Sequence, residues 1–205
     1  MIVSIIGTLF SFISIIQNIS KKETLNEKIQ SLKDACSKLD VIYTILSESK
    51  KMHNEFQKYE TAIFSNMRTL KKGKGNLSQI ESADAIGFII QITNQMIRTR
   101  QLSISDFEQN DNGKSLPVEI INNCTEISRK YPMLVDNLNA FICNFEKIKE
   151  LLAVENFGNE MEATLLKMEN SIKEIQNYAD DIILNTAPVL DFIHFKIKDA
   201  LNLIA

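Results

Sequence analysis

Seven apolar positions, Leu25, Ile29, Leu32, Cys36, Leu39, Tyr43 and Leu46, follow one another in alternating steps of four and three. That spacing is a three-heptad seam, which only an α-helix can place on one face. After an interruption near Glu48 to Lys51 it resumes with Met52, Phe56, Tyr59, Ile63, Met67 and Leu70, so residues 20–72 read as one long helix, broken or bent at 48–51. Helical spacing then continues almost to the last residue, and no strand-like alternation competes with it. With six Gly, three Pro and no Trp, turn formers are scarce. The expected fold is all-α, an elongated antiparallel bundle of about five or six helices forming one domain over residues 1–205.

Punctuation divides the remaining chain. Lys71-Lys72-Gly73-Lys74-Gly75 suits the carbonyl end of a helix, because cations favour the negative pole and glycine supplies a left-handed cap. Ser78 followed by Glu81 has capping-box spacing and opens a helix predicted over 78–100, whose middle from Ala85 to Ile97 is apolar on nearly every side. The polar stretch 101–116, with Asn110-Asp111-Asn112-Gly113, reads as a loop. A helix follows over 117–153, which Pro132 should bend or split, and a last one over 159–205 with a kink at Pro188.

The first twenty residues carry no charge, and eleven of positions 2 to 19 are Ile, Val, Leu or Phe. Something apolar must receive this segment. On a helical wheel Ser4, Gly7, Thr8, Ser11, Ser14 and Asn18 share one arc, leaving Ile5, Ile6, Leu9, Phe10, Phe12, Ile13 and Ile16 as the candidates for lipid insertion. Twenty helical residues span roughly 30 Å, a bilayer core. Lys21, Lys22 and Lys28 follow as candidate headgroup contacts. A basic leader and a small-residue cleavage site are both missing, so the segment does not read as a secretory signal. It suits a bundle core, a fixed anchor, or a helix stored in the core and released to membrane.

The order of these features, Val3-Ser4-Ile5-Ile6-Gly7-Thr8-Leu9-Phe10 and then Ile29-Gln30-Ser31-Leu32 and Leu39-Asp40-Val41-Ile42-Tyr43-Thr44-Ile45-Leu46, resembles the start of HeLo-type and related amino-terminal bundles. Those bundles belong to cell-death executors and fungal immune receptors. The resemblance is one of pattern over residues 1–70. It implies a stored hydrophobic first helix that is released on activation, with homo-oligomerisation and permeabilisation of membrane. Helical pore-forming toxins are similar in architecture, and Ala85 to Ile97 would be the internal membrane-entering candidate.

Enzyme chemistry finds little to work with. His53 and His194 are the only histidines, and Asp191-x-x-His194 is less than half of a helical di-metal carboxylate site. Asp180-Asp181 and Glu160/Glu162 read as solvated helix faces. Neither Lys71 to Gly75 nor Gly113-Lys114-Ser115 completes a phosphate-binding loop. Cys36, Cys124 and Cys143 have no paired spacing, which fits free thiols in a reducing compartment. Residues 1–75 carry twelve basic against seven acidic side chains and residues 76–205 carry eleven against nineteen, an asymmetry that suits helices neutralising one another or a basic half on anionic lipid.

The expectation is therefore a protein without enzymatic activity, cofactor, metal, small-molecule substrate or nucleic-acid partner. Its first helix would enter anionic membrane from the cytoplasm on activation, and secretion as a toxin stays open. The alternative is a soluble adaptor that grips a helical protein through Leu25, Ile29, Leu32, Leu39, Tyr43 and Leu46.

Overall fold

The computed structural model describes residues 5–72, 84–103, 116–154 and 158–204, and among these it contains six α-helices and no strand. They are α1 (Ile5–Asn18), α2 (Leu25–Ser37), α3 (Asp40–Lys71), α4 (Asp84–Ser103), α5 (Val118–Ala153) and α6 (Asn159–Ile204), with one 3₁₀ turn at Ile19–Lys21. The fold is an all-α bundle. The Ser78/Glu81 capping box, the glycines at 73 and 75 and the polar stretch from Asn110 to Ser115 lie outside the described residues.

The chain divides into two compact units. Unit 1 comprises Met1–Ser47, Thr99–Lys130 and Asp181–Ala205, and unit 2 comprises Glu48–Arg98 and Tyr131–Asp180. Unit 1 buries Leu9, Phe12, Leu39, Ile42, Ile127 and Ile193. Unit 2 buries Phe56, Ile89, Leu134, Leu138, Phe141 and Ile172, with the Phe56 and Phe141 rings packed edge to face at 5.6 Å.

The helix expected over 20–72 is two helices, and its break is ten residues earlier than the spacing predicts. Thr24 stops it at the amino end: its Oγ1 accepts from the Glu27 N–H at 3.2 Å while Glu27 Oε2 accepts from the Thr24 N–H at 3.1 Å, a complete capping box. The break at Lys38 and Leu39 is a tightening of the backbone, since Lys38 N–H donates to the Ala35 carbonyl and Leu39 N–H to that of Cys36, both three residues back. Residues 48–51 stay helical because Glu48 and Ser49 turn inward and Lys50 and Lys51 outward.

The prolines do not split their helices. Pro132 removes one backbone donor from α5 and is surrounded by the buried Tyr131, Leu134 and Val135. An interior proline costs about 3 kcal/mol. Three large side chains buried at roughly 1.5–3 kcal/mol each more than offset it. Pro188 likewise lies inside α6, beside buried Thr186 and Val189.

Candidate functional site

Helix α1 packs on α2 and on the 3₁₀ turn. Five of the seven residues expected to enter lipid are core: Ile5, Leu9 and Phe12 are at most 1% exposed, Ile16 5% and Ile13 9%. Ile6 and Phe10 are half-buried. The small polar stripe points outward at Ser11, Ser14 and Asn18, but Thr8 is buried and its hydroxyl has no hydrogen-bond partner. Ser4 lies outside the described residues.

With Ile19, six large side chains of this segment are removed from water. At about 1.5–3 kcal/mol each, the upper estimate is roughly 9–18 kcal/mol. That rivals the whole stability of a typical domain, about 5–15 kcal/mol. Helix α1 therefore stays in the core unless another apolar medium takes it. Having no charged residue, it is held without ion pairs.

The connection to α2 is exposed throughout, from Ser20 to Thr24. Lys22 is extended, with φ −80° and ψ 137°, and takes the chain out of the 3₁₀ turn. Because the Thr24/Glu27 box closes the amino end of α2, that helix does not need α1 to satisfy its first N–H groups. Hydrogen bonding from Thr24, its backbone N–H first and its side chain next, holds the Glu27 carboxyl below its usual range. Of the three candidate headgroup lysines, Lys21 and Lys22 are exposed, whereas Lys28 is half-buried and donates from Nζ to the Leu203 carbonyl at 3.2 Å.

A groove of about 280 Å³ runs along the joint of α1 and α2, lined by Ser14, Ile15, Asn18, Lys22, Ser31 and Asp34. Asn18 bonds the Ser14 carbonyl and Asp34 accepts from Gln30, so two of its polar groups are already engaged locally. Nothing in it converges on a reacting atom.

The seam expected to grip a partner is divided by the break at Lys38 and Leu39. Leu25 is 57% exposed and Ile29 and Tyr43 are each 38% exposed, Leu32 and Leu46 are half-buried, and Leu39 is core. Within α2 only Ala35 is fully buried. The buried positions of α3 include Ile42, Ile45, Met52 and Phe56.

Unit 2 holds a polar contact that sequence spacing did not reveal. Tyr131 donates its hydroxyl to Glu48 Oε2 at 2.6 Å, with both residues at most 5% exposed, and the Met96 carbonyl is 3.5 Å from the same hydroxyl. Ser49, beside it in sequence, is fully buried with an unpartnered hydroxyl. The interrupted heptad at 48–51 was the available signal, since a polar residue at a core position demands a partner. His53 Nδ1 lies 2.9 Å from Asp180 Oδ1 without hydrogen-bond alignment.

In unit 1, Lys130 Nζ pairs with Asp181 at 2.6 Å, and the Tyr43 hydroxyl lies 3.5 Å from His194 Nε2. Asp180 and Asp181 keep side-chain exposures of 55% and 41%, as expected of a solvated helix face. Among the described residues no cluster of three or more His, Cys, Asp or Glu is placed to hold a metal ion. Likewise, none of the described helices is long and apolar enough to cross a membrane. No family model, curated protein or solved structure matches the chain.

Proposed function

We propose that this chain is a membrane-associating protein whose helix α1 is stored in unit 1 and passes into anionic lipid on activation, where copies assemble and permeabilise the bilayer. The observation that carries the reading is the way α1 is attached. It is uncharged, buries Ile5, Leu9, Phe12, Ile13 and Ile16, and is joined through the exposed residues 20–24 to an α2 that is capped on its own. Such a helix exchanges one apolar medium for another without breaking an ion pair. The buried hydroxyl of Thr8, unpartnered in the core, biases the stored state toward release.

Over its described residues α1 is roughly 21 Å long, with one apolar face and an outward face of Ser11, Ser14 and Asn18. That amphipathic form suits a wedge that lies at or dips into one leaflet, apolar face down and Ser11, Ser14 and Asn18 toward the headgroups. The test is dye release from anionic vesicles at neutral and mildly acidic pH, with the protein warmed to just below its unfolding midpoint. Wild type should release dye. Ile6→Glu with Phe10→Glu, chosen because both positions are half-buried and the fold tolerates them better than glutamate at buried Leu9, should not. Equal release by wild type and variant, or none by either, rejects the proposal.

A further inference from the structure

We propose that the surface made by the first turns of α2 and the carboxyl end of α6 is where unit 1 rests on an anionic lipid surface while α1 is still stored. This builds on the lipid reading of α1 and supplies the step before it. Lys28 of α2 reaches the Leu203 carbonyl of α6, which brings the two helix ends together. Leu25, Ile29 and Leu203 thereby belong to one end of the unit, and they are 57%, 38% and 48% exposed.

Their exposure is not a matter of odd register. Ala200 is fully buried, and Leu203 follows it at helical spacing, so the core stripe of α6 runs on past the core that would cover it. In α2, Leu25 and Ile29 lie one turn apart on one side. Apolar side chains concentrated at one end of a unit mark a contact surface.

The cations identify the occupant. Lys21, Lys22 and Lys33 are exposed and make no ion pair among the described residues, and Lys33 continues the side of Ile29 one turn further on. Of the nearby acids, Glu27 caps Thr24 and Asp34 accepts from Gln30, which leaves exposed Glu23 against three lysines. The negative pole of α6, which would repel an anionic surface, receives the Lys28 ammonium. Leucine-type side chains at acyl depth with lysines at the phosphates is how a peripheral protein holds a membrane. A partner helix fits less well, because the α2 stripe ends after thirteen residues and the next seam position, Leu39, is buried.

The experiment is co-flotation of the full chain with vesicles of phosphatidylcholine, with and without phosphatidylserine, with dye release read in the same tubes. Wild type should float with the serine-containing vesicles only. Leu25→Gln with Leu203→Gln should lower binding by about tenfold or more while circular dichroism stays unchanged. Variants that float like wild type overturn the proposal. So do variants that change the oligomeric state in sedimentation without changing flotation, since the patch would then be a protein interface. Flotation without dye release leaves this surface standing and rejects the release of α1. Dye release with unimpaired flotation of the leucine variants does the reverse, and neither signal rejects both.

Discussion

Replacing Thr8 by Val tests whether α1 is stored under a built-in bias. The side chain is 2% exposed and its hydroxyl has no partner. Val keeps the shape and the β-branch, so packing and helix propensity hardly change. Removing an unsatisfied buried hydroxyl should then stabilise the fold by about 1–3 kcal/mol. In lipid the hydroxyl of a helical threonine can turn to the carbonyl four residues back, so the gain falls mainly on the stored state. At 1.4 kcal/mol per tenfold, dye release should slow by roughly five- to a hundredfold. Urea titration followed by circular dichroism reads the first quantity and vesicle leakage the second. Ser49→Ala is the control, because it removes an equally orphaned hydroxyl from unit 2 and should stabilise without slowing release to match. If Thr8→Val lowers the urea midpoint, or raises it with leakage unchanged, the reasoning about Thr8 is wrong.

Deleting residues 1–19 removes six buried side chains from unit 1, so its near-neighbour packing should loosen and dye binding to exposed apolar surface should rise, while the edge-to-face Phe56 and Phe141 pair of unit 2 keeps its near-ultraviolet dichroism. Tyr131→Phe removes one hydrogen bond to buried Glu48 and should lower stability by about 1–3 kcal/mol in chemical denaturation; Glu48→Gln combined with it should cost less than the two single losses added, because the pair is coupled. Burial pushes the Cys124 thiol up to about 12 from 9.0, so at neutral pH a thiol reagent should label exposed Cys143 at once and Cys124 only on unfolding. The unfolded thiol ionises first on the alkaline side, so stability attributable to Cys124 holds below about pH 9 and falls as pH rises through that window. Cys124→Ala, compared with wild type across it, should flatten the fall.

Much of this was written in periodicity. The steps of three and four lead correctly to helices, and the arc holding Ser11, Ser14 and Asn18 is the outward face of α1. What periodicity could not locate is the break after α2, because a 3₁₀ tightening changes the phase by a fraction of a turn and leaves the apolar spacing intact. The Thr24-x-x-Glu27 signal that ends the predicted long helix at its start was legible, yet it lies inside a region whose seam argues for continuity. Glu48 misled in the opposite direction. A charged residue at a core position looks like a helix end until Tyr131, 83 residues away, provides its partner. Such a contact depends on tertiary placement, which no local pattern records.

Salt separates the two steps that the lipid reading requires. Exposed lysines act on a charged surface through the solvent, where the screening length shrinks from about 10 Å at 0.1 M salt to about 3 Å at 1 M. The proposed contacts of Lys21, Lys22 and Lys33 with headgroups should therefore weaken as salt is added. The hold of unit 1 on α1 does not, because the helix contains no charge to screen and its burial is apolar; concentrated salt, if it changes that hold, tightens it. On that reading salt loosens the lysine share of the hold on lipid, leaves the share of Leu25, Ile29 and Leu203, and does not fire the wedge. On the proposed reading, activation has to come from something that alters the core around Leu9, Phe12 and Ile16 or offers them a better one, and ionic strength alone does neither.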